Sequence, residues 1–331
     1  QHDGVLWVIR GEQLNDLLRF RSRVVVAGER TIEPITEIGQ PRTVSTRRAG
    51  RRRFRIPYPL LPFLIFCIAL ELIPLAIMIR DSLRTLGTGA YTLDNYRTIT
   101  EPLYWHSLRN SIYLAGVSTI IGGVWGALVA VAILRPNGPL RKWLTGLIAT
   151  TSNFAGIPLA LAFVAVLGAN GFITLLLREL FDYRLYPQKF TLYSWTGLGL
   201  VYIYFQLPLM VLLFTPAVAR LKAQWPEAAA TLGASPWAYW RRVGLPVMAA
   251  PFLSAMALLF ASGLGAYATA WAMTSGTFSL LTIQIAFEVN GDISYDPGKA
   301  SALSLILAFL MAISILAAQL LARKAQKWQS S

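Results

Sequence analysis

The stretch Glu227–Pro246, EAAATLGASPWAYWRRVGLP, is polar, charged and punctuated by helix signals, and it stands between two long apolar runs. Pro226 suits the first position of a helix, Glu227 sits where an acid favours the positive end of the helix dipole, and Ala228, Ala229 and Ala230 are strong helix formers. Gly233 supplies a left-handed residue to end that helix. Ser235 then caps and Pro236 opens a second helix, PWAYWRRV, which Gly244 and Pro246 are expected to stop. The spacing predicts a helical elbow over 225–246, tied at both ends to apolar segments. Leu232, Trp237, Tyr239, Trp240 and Val243 give it an apolar surface that suits either a partner's groove or a bed of lipid headgroups, and the residues alone leave both open.

The rest of the chain says where such an elbow sits. Of 331 residues, 55% are hydrophobic and 14% charged, and the mean hydropathy of +0.51 is too high for an ordinary soluble domain. Crossing a hydrocarbon core takes about 20 helical residues. Runs of that order lie at roughly 58–79, 111–134, 143–167, 194–219, 247–274 and 300–321, so an all-α integral membrane protein with six spans is expected. The apolar stretch at 168–180 is too short for a seventh crossing and reads as a re-entrant or interfacial helix.

The formal charge of +14 distributes by side. Arg42, Arg47, Arg48, Arg51, Arg52, Arg53 and Arg55 precede the first run, Arg135, Arg141 and Lys142 lie between the second and third, and Arg220, Lys222, Arg241 and Arg242 flank or lie in the elbow. The intervening segments are balanced or acidic, as with Glu288, Asp292 and Asp296 against Lys299 in 275–299. The positive-inside bias then puts both termini and the elbow in the cytoplasm. Residues 1–57 read as a basic cytoplasmic extension whose RRAGRRRFR cluster suits anionic lipid rather than nucleic acid. For its first forty residues three readings stand: a small appendage, a partly disordered arm, or an overextended start.

Catalytic and metal chemistry find little material. Cys67 lies in an apolar run and reads as a buried hydrophobe; His2 and His106 cannot build a zinc site, and no disulfide or metal-ligand spacing exists. Gly298-Lys299 lacks the upstream glycine of a phosphate cradle, so no bound cofactor is expected and any ATP-driven motor must be another chain. Within the spans, Gly122-x-x-x-Gly126 and the small-residue run Ala261–Ala270 suit close helix packing. Glu71 is costly near mid-bilayer, by about 2.5–3.5 kcal/mol, and Asn153 shares a segment with Pro158; such groups face a bundle interior or a wet cavity, while Glu71, late in its span, equally fits a structural place at the outer interface. With the aromatic faces of Tyr267 and Trp271, Glu71 and Asn153 are the candidates for lining a solute path.

Glu227-Ala228-Ala229, three residues, Gly233, nine residues, then Val243-Gly244-Leu245-Pro246 matches E-A-A-x3-G-x9-I-x-L-P with valine for isoleucine. In this the chain resembles, over about 58–325, the permease subunits of binding-protein-dependent ABC importers. The resemblance implies a six-span type I importer permease fold in which the elbow is a cytoplasmic coupling helix. Glu227, Ala228, Ala229 and Gly233 would seat in a cleft of the ATP-binding subunit, and Leu245 and Pro246 would fix the exit into the fifth span. It implies an ATP-binding cassette ATPase dimer, a solute-binding protein and a second permease as partners, a place in the bacterial inner membrane, and no catalytic role. More loosely, YTLDNYRTI, NFAGIPLALAF and the small-residue fifth span resemble the polyamine branch, with thiamine, iron and phosphonate importers as alternatives. Likeness to the polyamine branch favours a permease heterodimer, and a homodimer stays open. A secondary transporter would call for inverted halves and ion sites, and the sequence shows no internal repeat.

Overall fold

The computed structural model describes residues 61–133, 139–186, 190–222, 224–291 and 295–330, with side chains as far as residue 323. The basic extension 1–57 lies outside the described residues, as do Arg135 and Asp292. Among the described residues the chain is helical, with one isolated bridge between Arg84 and Tyr91.

Twelve principal helices follow in order: α1 Leu61–Ser82, α2 Pro102–Ile133, α3 Pro139–Ser152, α4 Ile157–Leu167, α5 Phe172–Phe181, α6 Trp195–Val218, α7 Gln224–Thr231, α8 Pro236–Tyr239, α9 Leu245–Leu264, α10 Tyr267–Thr274, α11 Leu281–Asn290 and α12 Pro297–Ser330. Six stretches are long and apolar enough to cross a membrane: Leu61–Ser82, Pro102–Ile133, Ile157–Phe181, Trp195–Val218, Pro236–Leu264 and Pro297–Arg323.

Packing shows how the third crossing is made. Leu144 and Ile148 of α3 pack with Met210, Phe214 and Val218 at the elbow end of α6, whereas Leu159 and Ala160 of α4 pack with Leu198, Val201 and Tyr202 at its opposite end. Helices α3 and α4 together make one crossing: at 1.5 Å per residue they rise about 21 and about 17 Å, enough for a core of about 30 Å. The expected continuous span at 143–167 is thus broken at 153–156, because Gly156 adopts φ 73°, ψ −143° and Pro158 follows it. Helix α5 stays at the far end. The chain is back beside Leu167 by Tyr186, whose hydroxyl donates to the Leu167 carbonyl and accepts the Leu192 N–H.

The fifth crossing also differs from its sequence reading at both ends. It is interrupted after Leu264, and Tyr267–Thr274 follows as a separate helix. At its start Gly244 and Pro246 do not stop PWAYWRRV; a π-turn over Trp240–Gly244 carries α8 into α9. Pro246 has no N–H and its ring would clash with a carbonyl four residues back. The wider turn relieves this, with the Leu245 N–H bonded to the Trp240 carbonyl.

The bundle core is the contact of α2 with α6, with α9 laid across both and α12 behind α9. Gly122 and Gly126 make the first contact: a Cβ on Gly126 would lie 2.6 Å from the Leu207 carbonyl oxygen, so only glycine permits this approach. Inside it Gln206, fully buried, donates to Ser118, which donates to the Leu114 carbonyl. Helix α1 packs chiefly along α12 and leaves most of its apolar surface uncovered.

Candidate functional site

Two sites stand out, one at the elbow end and one at the depth of the helix breaks. In the elbow, α7 ends in a pair of reversed bonds, Gly233 N–H to the Ala230 carbonyl and Ala234 N–H to the Ala229 carbonyl, with Gly233 at φ 78°. This is the Schellman arrangement, which needs a left-handed residue at that one position. Ser235 then accepts the Ala238 N–H, Pro236 begins α8, and the π-turn passes without interruption into α9. The turn between α7 and α8 is thus hydrogen-bonded on both sides, and from Pro236 onward the helix runs continuously into the fifth crossing. Glu227, Ala228 and Gly233 are exposed, Ala229 half-buried, and Leu232 and Trp237 are 87% and 70% exposed. Leu245 and Pro246 lie exposed on the first turn of α9.

The second site is where the breaks of the third and fifth crossings meet. The Gly156 N–H donates to Thr269 Oγ1 at 3.1 Å, and Tyr202 Oη of α6 donates to the Ala266 carbonyl at 2.9 Å. Each side chain satisfies a backbone group that a continuous helix would have bonded internally. Irregular backbone at such depth persists only where protein encloses it or a cavity wets it. Helices α4 and α10, of 11 and 8 residues, continue beyond the breaks and rise about 17 and about 12 Å.

Of the candidate path residues, three gather here. Asn153 is exposed at the break, its side-chain amide returned to the Ala149 carbonyl. Tyr267 and Trp271 are half-buried on α10 with ring centroids 5.8 Å apart, and Phe287 of α11 extends the aromatic row at 5.6 Å from Trp271. Glu71 is not brought to them: it is exposed on α1.

Thr269, Tyr202 and Phe287 were not singled out from the sequence. Thr269 was hidden in a run of small residues, and the other two lie outside it. Nor is the 275–299 segment simply an acidic loop. Glu288 is buried and accepts the Tyr104 hydroxyl, and Asp296 Oδ1 accepts the Gly298 and Lys299 N–H groups at the start of α12. Among the described residues no group of three or more metal-ligating side chains occurs.

Six apolar crossings, two of them broken at one depth, and a bonded elbow leading into the fifth define the membrane-embedded half of a transporter. The chain belongs to the family of binding-protein-dependent transport system inner membrane components, whose family model matches residues 122–327; it is an ABC importer permease subunit of the inner membrane. Among curated relatives it is 28% identical over 208 residues to the sulfate transport system permease protein CysT of Escherichia coli (strain K12), covering 62% of this chain and 69% of CysT. It is 25% identical over 215 residues to the thiamine transport system permease protein ThiP of the same organism, covering 64% of this chain and 39% of ThiP. A bacterial ABC transporter involved in import of the acidic polysaccharide alginate has the same fold, with a TM-score of 0.61 at 18% identity, over 80% of this chain and 94% of that one.

Proposed function

We propose that this permease is moved by a separate ATPase dimer gripping the elbow, and that it passes a solute, delivered by an external binding protein, along the paired helix breaks. The observation that carries this reading is the hydrogen-bonded turn that ties α7 to α8, followed by unbroken helix from α8 through the π-turn into α9, with Leu232 and Trp237 uncovered on the elbow. In this reading Glu227, Ala228, Ala229 and Gly233 seat in the ATPase, Leu245 and Pro246 transmit to the fifth crossing, and both termini are cytoplasmic. Switching is biased by partners that bind one state better than the other, so the chain itself does no chemistry.

Asn153, Tyr267 and Trp271 with Thr269 and Phe287 line the route. A polyamine is the cargo we propose, since ammonium groups are attracted to the faces of Tyr267 and Trp271. Glu71 keeps a place in the route only if a second permease, in a heterodimer, brings another surface to α1. Thiamine, iron or a phosphonate stand as the alternatives, and relatives are named for thiamine and for sulfate transport.

The test is co-expression with the ATPase of the same transport system and affinity capture on the permease. Capture of the ATPase that is lost in Glu227→Ala and Gly233→Asp, with membrane insertion retained, supports the coupling role. Undiminished capture in both variants returns the elbow to a headgroup-resting helix.

A further inference from the structure

Two adjoining cavities lie on the elbow side. One, of about 450 Å³, sits between the elbow and the bundle and is lined by Arg141, Lys222, Ser235, Tyr239 and Trp240. The other, of about 640 Å³, is a nearly all-apolar groove between α2, α6 and α9, lined by Leu128, Phe214, Met248, Ala249 and Phe252 among others. Val131 and Trp240 line both, and Val218 and Leu221 also face the first, so a largely apolar chamber that carries two cations opens beside a greasier one running up the side of the bundle.

The charges are unspent. Among the described residues no carboxylate lies within ion-pairing distance of Arg141 or Lys222, and no acid lines either cavity. Two unpaired cations above an apolar slot, with an aromatic indole at the junction, is the chemistry of an amphiphile carrying negative charge at one end. We infer that the paired cavities form a binding site for one anionic glycerophospholipid, its phosphate between Arg141 and Lys222 and one acyl chain in the groove beside Phe214 and Phe252.

A lipid so held is wedged between the elbow and the second and fourth crossings. Its occupancy props α7 and α8 against the bundle. The site therefore couples lipid composition to elbow position.

The test titrates the purified full-length chain with phosphatidylglycerol and with phosphatidylcholine by native mass spectrometry, with no ATPase present, so that lipid binding and coupling are read separately. Phosphatidylglycerol is expected to bind in preference. Arg141→Gln with Lys222→Gln is expected to weaken it about thirtyfold, from the usual contribution of each cation near a membrane surface. The charge-matched control Arg178→Gln with Arg184→Gln, at the opposite end of the molecule, should leave it unchanged. Ala249→Trp, which fills the groove and spares both cations, should weaken both lipids. Equal binding of the two lipids, an Ala249→Trp variant that binds like the parent, or displacement of the lipid by inorganic phosphate at matched concentration would each overturn the assignment, the last in favour of a free-anion site.

Discussion

Thr269→Val isolates the bond that joins the two helix breaks. Valine keeps the shape of threonine and removes the acceptor of the Gly156 N–H, which has a 3.1 Å bond to Thr269 Oγ1. An unsatisfied buried donor costs about 1–3 kcal/mol, but hydrogen bonds between membrane helices average only about 0.6 kcal/mol because the unfolded chain in a micelle finds other partners. Thr269 is buried and Gly156 half-buried, so partial rehydration is open to one side only. The expected loss is about 1 kcal/mol, roughly fivefold in the unfolding equilibrium constant. Gly156→Ala should cost more, about 1–3 kcal/mol. A Cβ there meets only Ala268 at an ordinary 3.7 Å, so the penalty comes from forcing a side chain to φ 73°, ψ −143°. Thr269→Ser retains the hydroxyl and should sit near the parent. Unfolding of the purified chain by sodium dodecyl sulfate in mixed micelles, followed by tryptophan fluorescence, reads all three. A Thr269→Val midpoint equal to the parent's, or a Gly156→Ala protein as stable as Thr269→Ser, would show that the breaks are not held in this way.

Gly126→Leu drives a side chain against the Leu207 carbonyl and Met210, while Gly116→Leu on the same helix meets open space. The first should cost about 1–3 kcal/mol or prevent folding and the second little, read as the yield of monodisperse protein. Tyr104→Phe strands the buried Glu288 carboxylate and should destabilise by about 1.5–3 kcal/mol, measured by the same unfolding titration; Tyr104→Phe with Glu288→Leu should recover part of the loss.

Much of this molecule was legible in one dimension because a bilayer imposes one-dimensional rules. Each crossing must satisfy its own backbone, so length and apolarity reveal it, and the elbow's ends are written in local chemistry, Gly233 for a left-handed turn and Ser235 before Pro236 for a cap. What lies between distant segments was not legible. Gly156 and Thr269 are far apart in sequence, and only folding makes the hydroxyl of one the partner of the other's N–H; taken alone, their segments read as unbroken apolar runs. Glu71 drew attention as a lone carboxylate in an apolar run, yet packing leaves it on the outside of α1, whereas Glu288, which looked like loop charge, is buried against Tyr104. Composition tells that a charge must be accommodated. Which neighbour accommodates it depends on the rotation and depth of each helix, and those are set by close contacts such as Gly126 on Leu207 that exist only once the bundle has formed.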